Sequence, residues 1–152
     1  MTLLRHEARV AIADAIDAQT SAQVTLDLSW PDARAEQVWV GGATGDLDYA
    51  LFAAASQPHD DRFEVQVLMR SGAPGQNATQ ASAAVHALMN AVIEAIRGGT
   101  LSALAVSSAQ GSASVVSAIL SRCDGPMVEP GDEGHIGYAV LVVAVHARGV
   151  YI

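Results

Sequence analysis

Residues 62–70 read RFEVQVLMR, and the strict alternation in this stretch decides the fold class. Four apolar side chains share one side of an extended chain: Phe63, Val65, Val67 and Met69. The other side carries Glu64, Gln66 and Arg70. A period of two is typical of a β-strand with one buried face. The domain therefore contains a sheet that is covered on one side.

Upstream of this strand, the same alternation predicts further strands at 22–30 and 36–41, and 46–55 fits either a short strand or a helical turn. Gly41, Gly42 and Gly45 predict a turn between them. Apolar residues spaced three and four apart predict a helix over residues 3–19.

Downstream, a capping box formed by Asn77 and Gln80 opens a second predicted helix over residues 78–97, and Gly98 and Gly99 end it. Three strands are then predicted, at 101–106, 114–122 and 137–148. Turns are expected at 124–126 and 130–134, where Gly and Pro cluster.

This order of elements predicts one α+β domain over residues 1–152, with an antiparallel or mixed β-sheet and two helices packed on one face. Six helix residues are expected in the core: Leu4, Ile12, Val85, Leu88, Val92 and Ile96. Four strand residues are expected to face them: Val24, Leu26, Val65 and Val67.

The charge balance excludes several function classes. The chain has 16 acidic residues and 8 basic ones, all of which are arginine, so its net charge is −8. That charge disfavours nucleic-acid readers and polybasic membrane binders. The absence of lysine removes P-loop and Schiff-base chemistry. One cysteine, Cys123, and no recognisable signal peptide favour a soluble protein made inside a reducing cell.

Few residues resemble a catalytic or binding site. Residues 41–45 could cradle a phosphate, but they lack a lysine and precede Asp46 and Asp48, so a hairpin turn is favoured. His59, Asp60 and Asp61 are the densest set of possible metal ligands, yet neighbours in sequence rarely converge on one ion. A solvated loop is the favoured interpretation, and neither a metal nor a cofactor is predicted.

The remaining candidates are aromatic and polar residues without a motif around them. Trp30 and Trp39 lie on the early strands, where an outward tryptophan can anchor an interface and core packing is equally expected. Four other histidines lie on helices or near the last strand: His6, His86, His135 and His146. None of them is tied to a nucleophile or a carboxylate by a recognisable motif.

Over its whole length the chain resembles the tail terminator, or tail-completion, proteins of long-tailed bacteriophages. The resemblance lies in an N-terminal amphipathic helix, the strands VTLDLSW (24–30), EQVWVGGA (36–43) and RFEVQVLMR (62–70), and a Gly/Pro connector. An alanine-rich helix ending in Gly98 and Gly99 and a closing pair of strands complete it.

The resemblance implies a structural virion protein without enzymatic activity. Such a protein assembles as a ring, typically a hexamer, on the last ring of the tail tube, ends tube polymerisation and provides the surface that joins the head. Its partners are copies of itself, the tail tube protein and a head-completion or neck protein. The connector at 71–77 and the loop at 124–134 are then candidate contacts with neighbouring rings. The chain would work in the virion, after assembly in the host cytoplasm.

DNA must pass through such a ring without being retained, so carboxylates are expected in the lumen. The densest acidic positions on predicted loops are the pair Asp46 and Asp48 and the pair Asp60 and Asp61. At least one pair is expected to face the channel; ordinary solvated loop charges are an equally good interpretation.

Two alternatives remain open. Another neck component, such as a head-closure or adaptor protein, would have the same composition and ring habit. A small metal-dependent enzyme using His59, Asp60 and Asp61 belongs to a different functional class, and bound divalent metal would support it.

Overall fold

The structure is a computed structural model that describes residues 3–26, 36–48, 58–109 and 111–151. These residues form two helices, six strands and one 3-10 turn (Leu101–Ala103). The helices are α1 (Arg5–Gln19) and α2 (Ala78–Gly98). The strands are β1 (Gln23–Thr25), β2 (Glu36–Asp48), β3 (Pro58–Ser71), β4 (Ala105–Ser108), β5 (Gly111–Pro130) and β6 (His135–Tyr151). Trp30, the end of the predicted strand at 22–30 and most of 46–55 lie outside the described residues.

The strands form one mixed sheet in the order β1-β2-β3-β6-β5-β4. Only β1 and β2 run parallel, and every other neighbouring pair is antiparallel. The predicted α+β class with two helices is therefore confirmed, and β3 and β6 occupy the centre of the sheet.

Both helices pack on the same face of the sheet, which we call the helix-covered face. In β3, every second residue from His59 to Ser71 is buried, and Val65 and Val67 have no exposed surface. Val85 and Val92 of α2 are equally buried. A side chain at Gly137 of β6 would put its Cβ 2.6 Å from the carbonyl oxygen of Ala81, so this glycine lets α2 approach the sheet closely.

The expected core is confirmed except at its edges. Ile96 and Val24 are only partly buried, and Leu26 is 37% exposed, against the prediction that it faces the helices. The reason is that β1 pairs with β2 through only three residues and ends at Thr25, so Leu26 lies beyond the last paired position.

The predicted turn at 41–45 is wrong, because β2 continues through it to Asp48. Gly41 and Gly42 lie where the β2–β3 register shifts between Val40 and Ala43, so they form a β-bulge. At the bulge, the Arg9 guanidinium of α1 donates to two backbone carbonyl groups, with Nε 2.6 Å from the Gly41 oxygen and NH2 3.3 Å from the Val40 oxygen.

The predicted turn at 124–126 is also wrong, because β5 runs unbroken to Pro130. Gly125 and Pro126 fall where the register with β6 shifts between Asp124 and Met127, so neither residue needs a place in the ladder. The chain turns only at 131–134, between β5 and β6.

The second helix follows the prediction closely. Asn77 accepts from the Gln80 backbone N–H, and the Gln80 side chain accepts from the Asn77 backbone N–H, which completes the capping box. The predicted strand at 101–106 is instead a 3-10 turn followed by β4. No helix among the described residues is long and apolar enough to cross a membrane.

Candidate functional site

Asp60 and Asp61 are neighbours in β3, and strand alternation points them to opposite faces of the sheet. Asp61 lies on the helix-covered face and is 1% exposed. His59, its neighbour on that face, is also buried, at 3% exposed. Asp60 lies on the opposite side, which we call the polar face. The sequence-based placement of both residues on a loop is wrong, because β3 begins at Pro58 and pairs with β6 from its first residue.

Asp61 forms a bidentate ion pair with Arg5 of α1. Arg5 Nε lies 2.9 Å from Asp61 Oδ2, and Arg5 NH2 lies 2.6 Å from Oδ1 and 3.1 Å from the Gly45 carbonyl oxygen. The hydrogen bond to Asp61 raises the pKa of Arg5 above its ordinary value. The guanidinium also lies over the Phe63 ring, 5.5 Å from its centroid. This ion pair fixes the start of α1 to the sheet.

Asp60 accepts hydrogen bonds from two residues of β6 on the polar face. His146 Nε2 lies 2.7 Å and Arg148 Nε 3.1 Å from Asp60 Oδ1. These two hydrogen bonds, that of His146 first, hold the pKa of Asp60 below its ordinary value. Asp60 is therefore an ionised, paired carboxylate.

Asp46 and Asp48 were also expected on a loop, and that placement is wrong, because both belong to β2. Their backbone positions are opposite Arg62 and Asp60 of β3, respectively. Asp46 is exposed. The polar face thus carries alternating charges, in which the carboxylates of Asp46 and Asp60 are interleaved with arginines.

The metal triad suggested by the sequence does not converge. His59 and Asp61 lie on the helix-covered face, whereas Asp60 lies on the polar face, so one ion cannot contact all three. Within the described ranges, no group of three or more His, Cys, Asp or Glu side chains is arranged to hold a metal.

Trp39 has the orientation expected from the sequence, because it lies in β2 between the buried residues Val38 and Val40 and is itself only partly buried. On the same side of the sheet, Arg70 NH1 donates to Gln37 Oε1 at 3.0 Å. Burial and a hydrogen bond with Glu129 raise the pKa of Tyr138 nearby.

An apolar surface runs along the outer strand β5. Strand β4 pairs only with residues 111–114 of β5, and the Val115 N–H donates to the Leu104 carbonyl at 2.9 Å just before β4. Residues 116–130 have no strand partner on their outer side among the described residues. Four large apolar side chains of this segment are 45–62% exposed: Val116, Ile119, Leu120 and Met127. We call these four residues the β5 patch. Ile119 and Leu120 lie opposite Ala144 and Val143 of β6, so they point to opposite faces of the sheet and flank its edge from both sides. Exposed apolar groups along such an edge are typical of an interaction surface.

Among the described residues, the opposite edge of the sheet is also partly without a strand partner. Strand β1 pairs with β2 only at residues 37–39, and no other described strand pairs with the outer side of β2 from Val40 to Asp48. Leu47, within that stretch, is 36% exposed.

The connector at 71–77 and the turn at 131–134 meet at one end of the sheet. The Gly75 N–H donates to the Glu133 carbonyl at 2.6 Å, and the His135 N–H donates to the Gln76 carbonyl at 2.9 Å. The Gln76 side-chain amide also donates to the carbonyls of Ser71 and His135. Two segments that the sequence suggested separately therefore form one continuous surface.

Sequence reasoning missed the two arginines of α1 that hold the helix to the sheet, Arg5 and Arg9. A signal was present, because they stand four residues apart beside the apolar stripe of the helix in a chain with only eight basic residues. Comparison with protein-family models and with curated proteins finds no match to this chain.

Proposed function

We propose that this chain is a structural, non-catalytic virion protein that forms a ring, most simply a hexamer, at the head-proximal end of a phage tail tube. The ring ends tube polymerisation and offers the surface that joins the head. Its partners are copies of itself, the tail tube protein and a head-completion or neck protein.

The β5 patch is the observation that carries this proposal. Apolar side chains along the outer side of β5 beyond β4, which has no strand partner among the described residues, favour assembly with another protein surface. The order of helices and strands supports the proposal through the resemblance to tail terminators. The continuous surface made by 71–77 and 131–134 supplies a second contact region at one end of the sheet, as a protein between two rings requires.

The alternatives receive unequal support. Another neck component would use the same open edges, and its place in the tail distinguishes it from a terminator. The metal-dependent enzyme loses support, because Asp60 and Asp61 point to opposite faces and each already has a basic partner.

Localisation in the virion tests the proposal. In a cryo-EM map of intact tails, we expect one ring of this chain between the last tube ring and the head. Density for the chain within the tube body, or on the head side of a different terminator ring, would overturn the terminator assignment. No density for it in the virion would overturn the structural role altogether.

The acidic residues expected in the lumen differ in accessibility. Asp61 is buried and paired with Arg5, so we propose that the polar face, with Asp46 and Asp60, faces the channel. Asp46→Arg would place a cation beside passing DNA and should slow DNA ejection, more strongly at low salt. Asp17→Arg, the same charge change on the exposed side of α1, is the matched control and should leave ejection unchanged. Equal ejection by both variants would refute the assignment.

A further inference from the structure

We propose that neighbouring copies in the ring join by continuing the β-sheet, with β5 residues 116–120 of one copy lying beside β2 residues 43–48 of the next. This inference rests on the ring of the proposed function and names its contact. The two segments are different surfaces of one chain, so the contact is heterologous and repeats around a closed ring.

The two open segments lie at the same level of the sheet. One row of paired residues runs Ala43, Val65, Val143 and Leu120, across β2, β3, β6 and β5. A second row runs Leu47, Asp61, Ala147 and Val115. The short outer strands cover other levels: β4 pairs with β5 at 111–114 and β1 pairs with β2 at 37–39. Two backbone groups at these edges already have partners within the copy: the Val115 N–H donates to the Leu104 carbonyl at 2.9 Å, and the Gly45 carbonyl accepts from Arg5 NH2 at 3.1 Å. The contact with a second copy therefore uses β5 from Val116 onward, and among the described residues neither short strand intervenes there.

The strand directions also match. Three successive antiparallel pairings separate β2 from β5, so the two strands run in opposite directions within one copy. Placing β5 beside β2 of the next copy creates an antiparallel pair, in which facing N–H and C=O groups satisfy each other. The register shifts of β5 after Val115 and after Leu120 limit this pairing to a short segment.

The side chains also favour a second copy of the chain as the partner of this edge. Residues 116–120 read VSAIL and contain no charge, in a chain with a net charge of −8. Charged side chains are a common protection of outer strands against pairing, and this segment lacks them. The β2 segment carries Asp46 and Asp48, and an uncharged neighbouring strand places no like charge beside them. Ile119 and Leu120 are 62% and 45% exposed, and Leu47 on the other edge is 36% exposed, so both edges offer apolar surface to bury.

Cross-linking tests this contact directly. The variant carries Ala43→Cys and Leu120→Cys in a Cys123→Ser background, and a short bismaleimide tolerates a small shift in register. Purified protein and assembled tails are both treated. We expect a ladder of covalent multimers that ends at the number of copies in the ring. Each single-cysteine variant, and a variant that replaces Leu120→Cys by Val150→Cys on β6, should stay at monomer.

A second variant measures assembly without a cross-linker. Ile119→Asp should abolish rings while leaving the thermal unfolding midpoint of the monomer unchanged, because the side chain is exposed. Val150→Asp, which is an exposed apolar position away from both edges, should form rings as the wild type does.

The outcomes separate this inference from the proposed function. Rings seen by electron microscopy without a ladder, or with a cross-link only to the tube protein, overturn the edge contact and leave the ring intact. The wild-type protein, which keeps Cys123, is treated in parallel; a product that stops at dimers there indicates a two-fold β5–β5 contact and also overturns the edge contact. Neither rings nor a ladder, in solution and in tails, overturns both proposals.

Discussion

The two faces of β3 accommodate carboxylates in different ways. Asp61, on the helix-covered face, has a side chain that is 2% exposed and is held by a bidentate guanidinium from another element. Asp60, one residue earlier, is partly exposed and is bonded to two residues of the neighbouring strand, His146 and Arg148. A buried charge requires a dedicated partner, whereas an exposed charge is also stabilised by water. The same residue type is therefore expected to contribute more to stability on the helix-covered face than on the polar face.

Truncation of the core should produce the largest difference between the covered and open parts of the sheet. Leu141 of β6 has no exposed surface, so Leu141→Ala should lower the free energy of unfolding by about 2–5 kcal/mol through lost burial and a residual cavity. Ile119→Ala on the open edge should change it by less than about 0.5 kcal/mol. Urea denaturation measures both. Equal losses would mean that β5 is covered in the free monomer.

Removing the charge of Asp61 should give the second largest effect. Asp61→Asn leaves the guanidinium of Arg5 without its anion at a partly buried position, so we expect a loss of about 2 kcal/mol. Asp14→Asn, which changes an exposed carboxylate of α1, is the matched control and should have almost no effect. The midpoint of urea unfolding reports both variants, and a neutral Asp61→Asn would show that Arg5 does not fix α1 to the sheet.

Local patterns predicted the centre of the fold. Alternation in 62–70 identified β3 and its buried side, and the Asn77–Gln80 pair identified the first turn of α2. Both signals depend on residues within a few positions of one another. Both signals can therefore be recognised without knowledge of the rest of the chain.

Features that depend on distant partners could not be predicted. Glycines 41 and 42 have the composition of a turn, and they form a bulge only because β3 continues to pair with β2 on both sides of them. Gly125 and Pro126 are accommodated in β5 by its long partner, β6. The partner of Asp61 lies 56 residues away, in α1, so sequence adjacency grouped Asp61 with Asp60.

The smallest expected effect is the contribution of Asp60, on the polar face, to the pH dependence of stability. Hydrogen bonds from His146 and Arg148 hold the pKa of Asp60 below its unfolded value of about 4. Ionised Asp60 therefore stabilises the fold above that value, and this stabilisation is lost as the pH falls through the lower folded pKa. Between about pH 5 and pH 2, the wild type should lose more stability than Asp60→Asn, because the variant has no proton to bind. Urea midpoints measured across this range, with Asp14→Asn on α1 as the control, report the difference. Parallel curves for wild type and Asp60→Asn would mean that the contacts with His146 and Arg148 do not favour the ionised carboxylate.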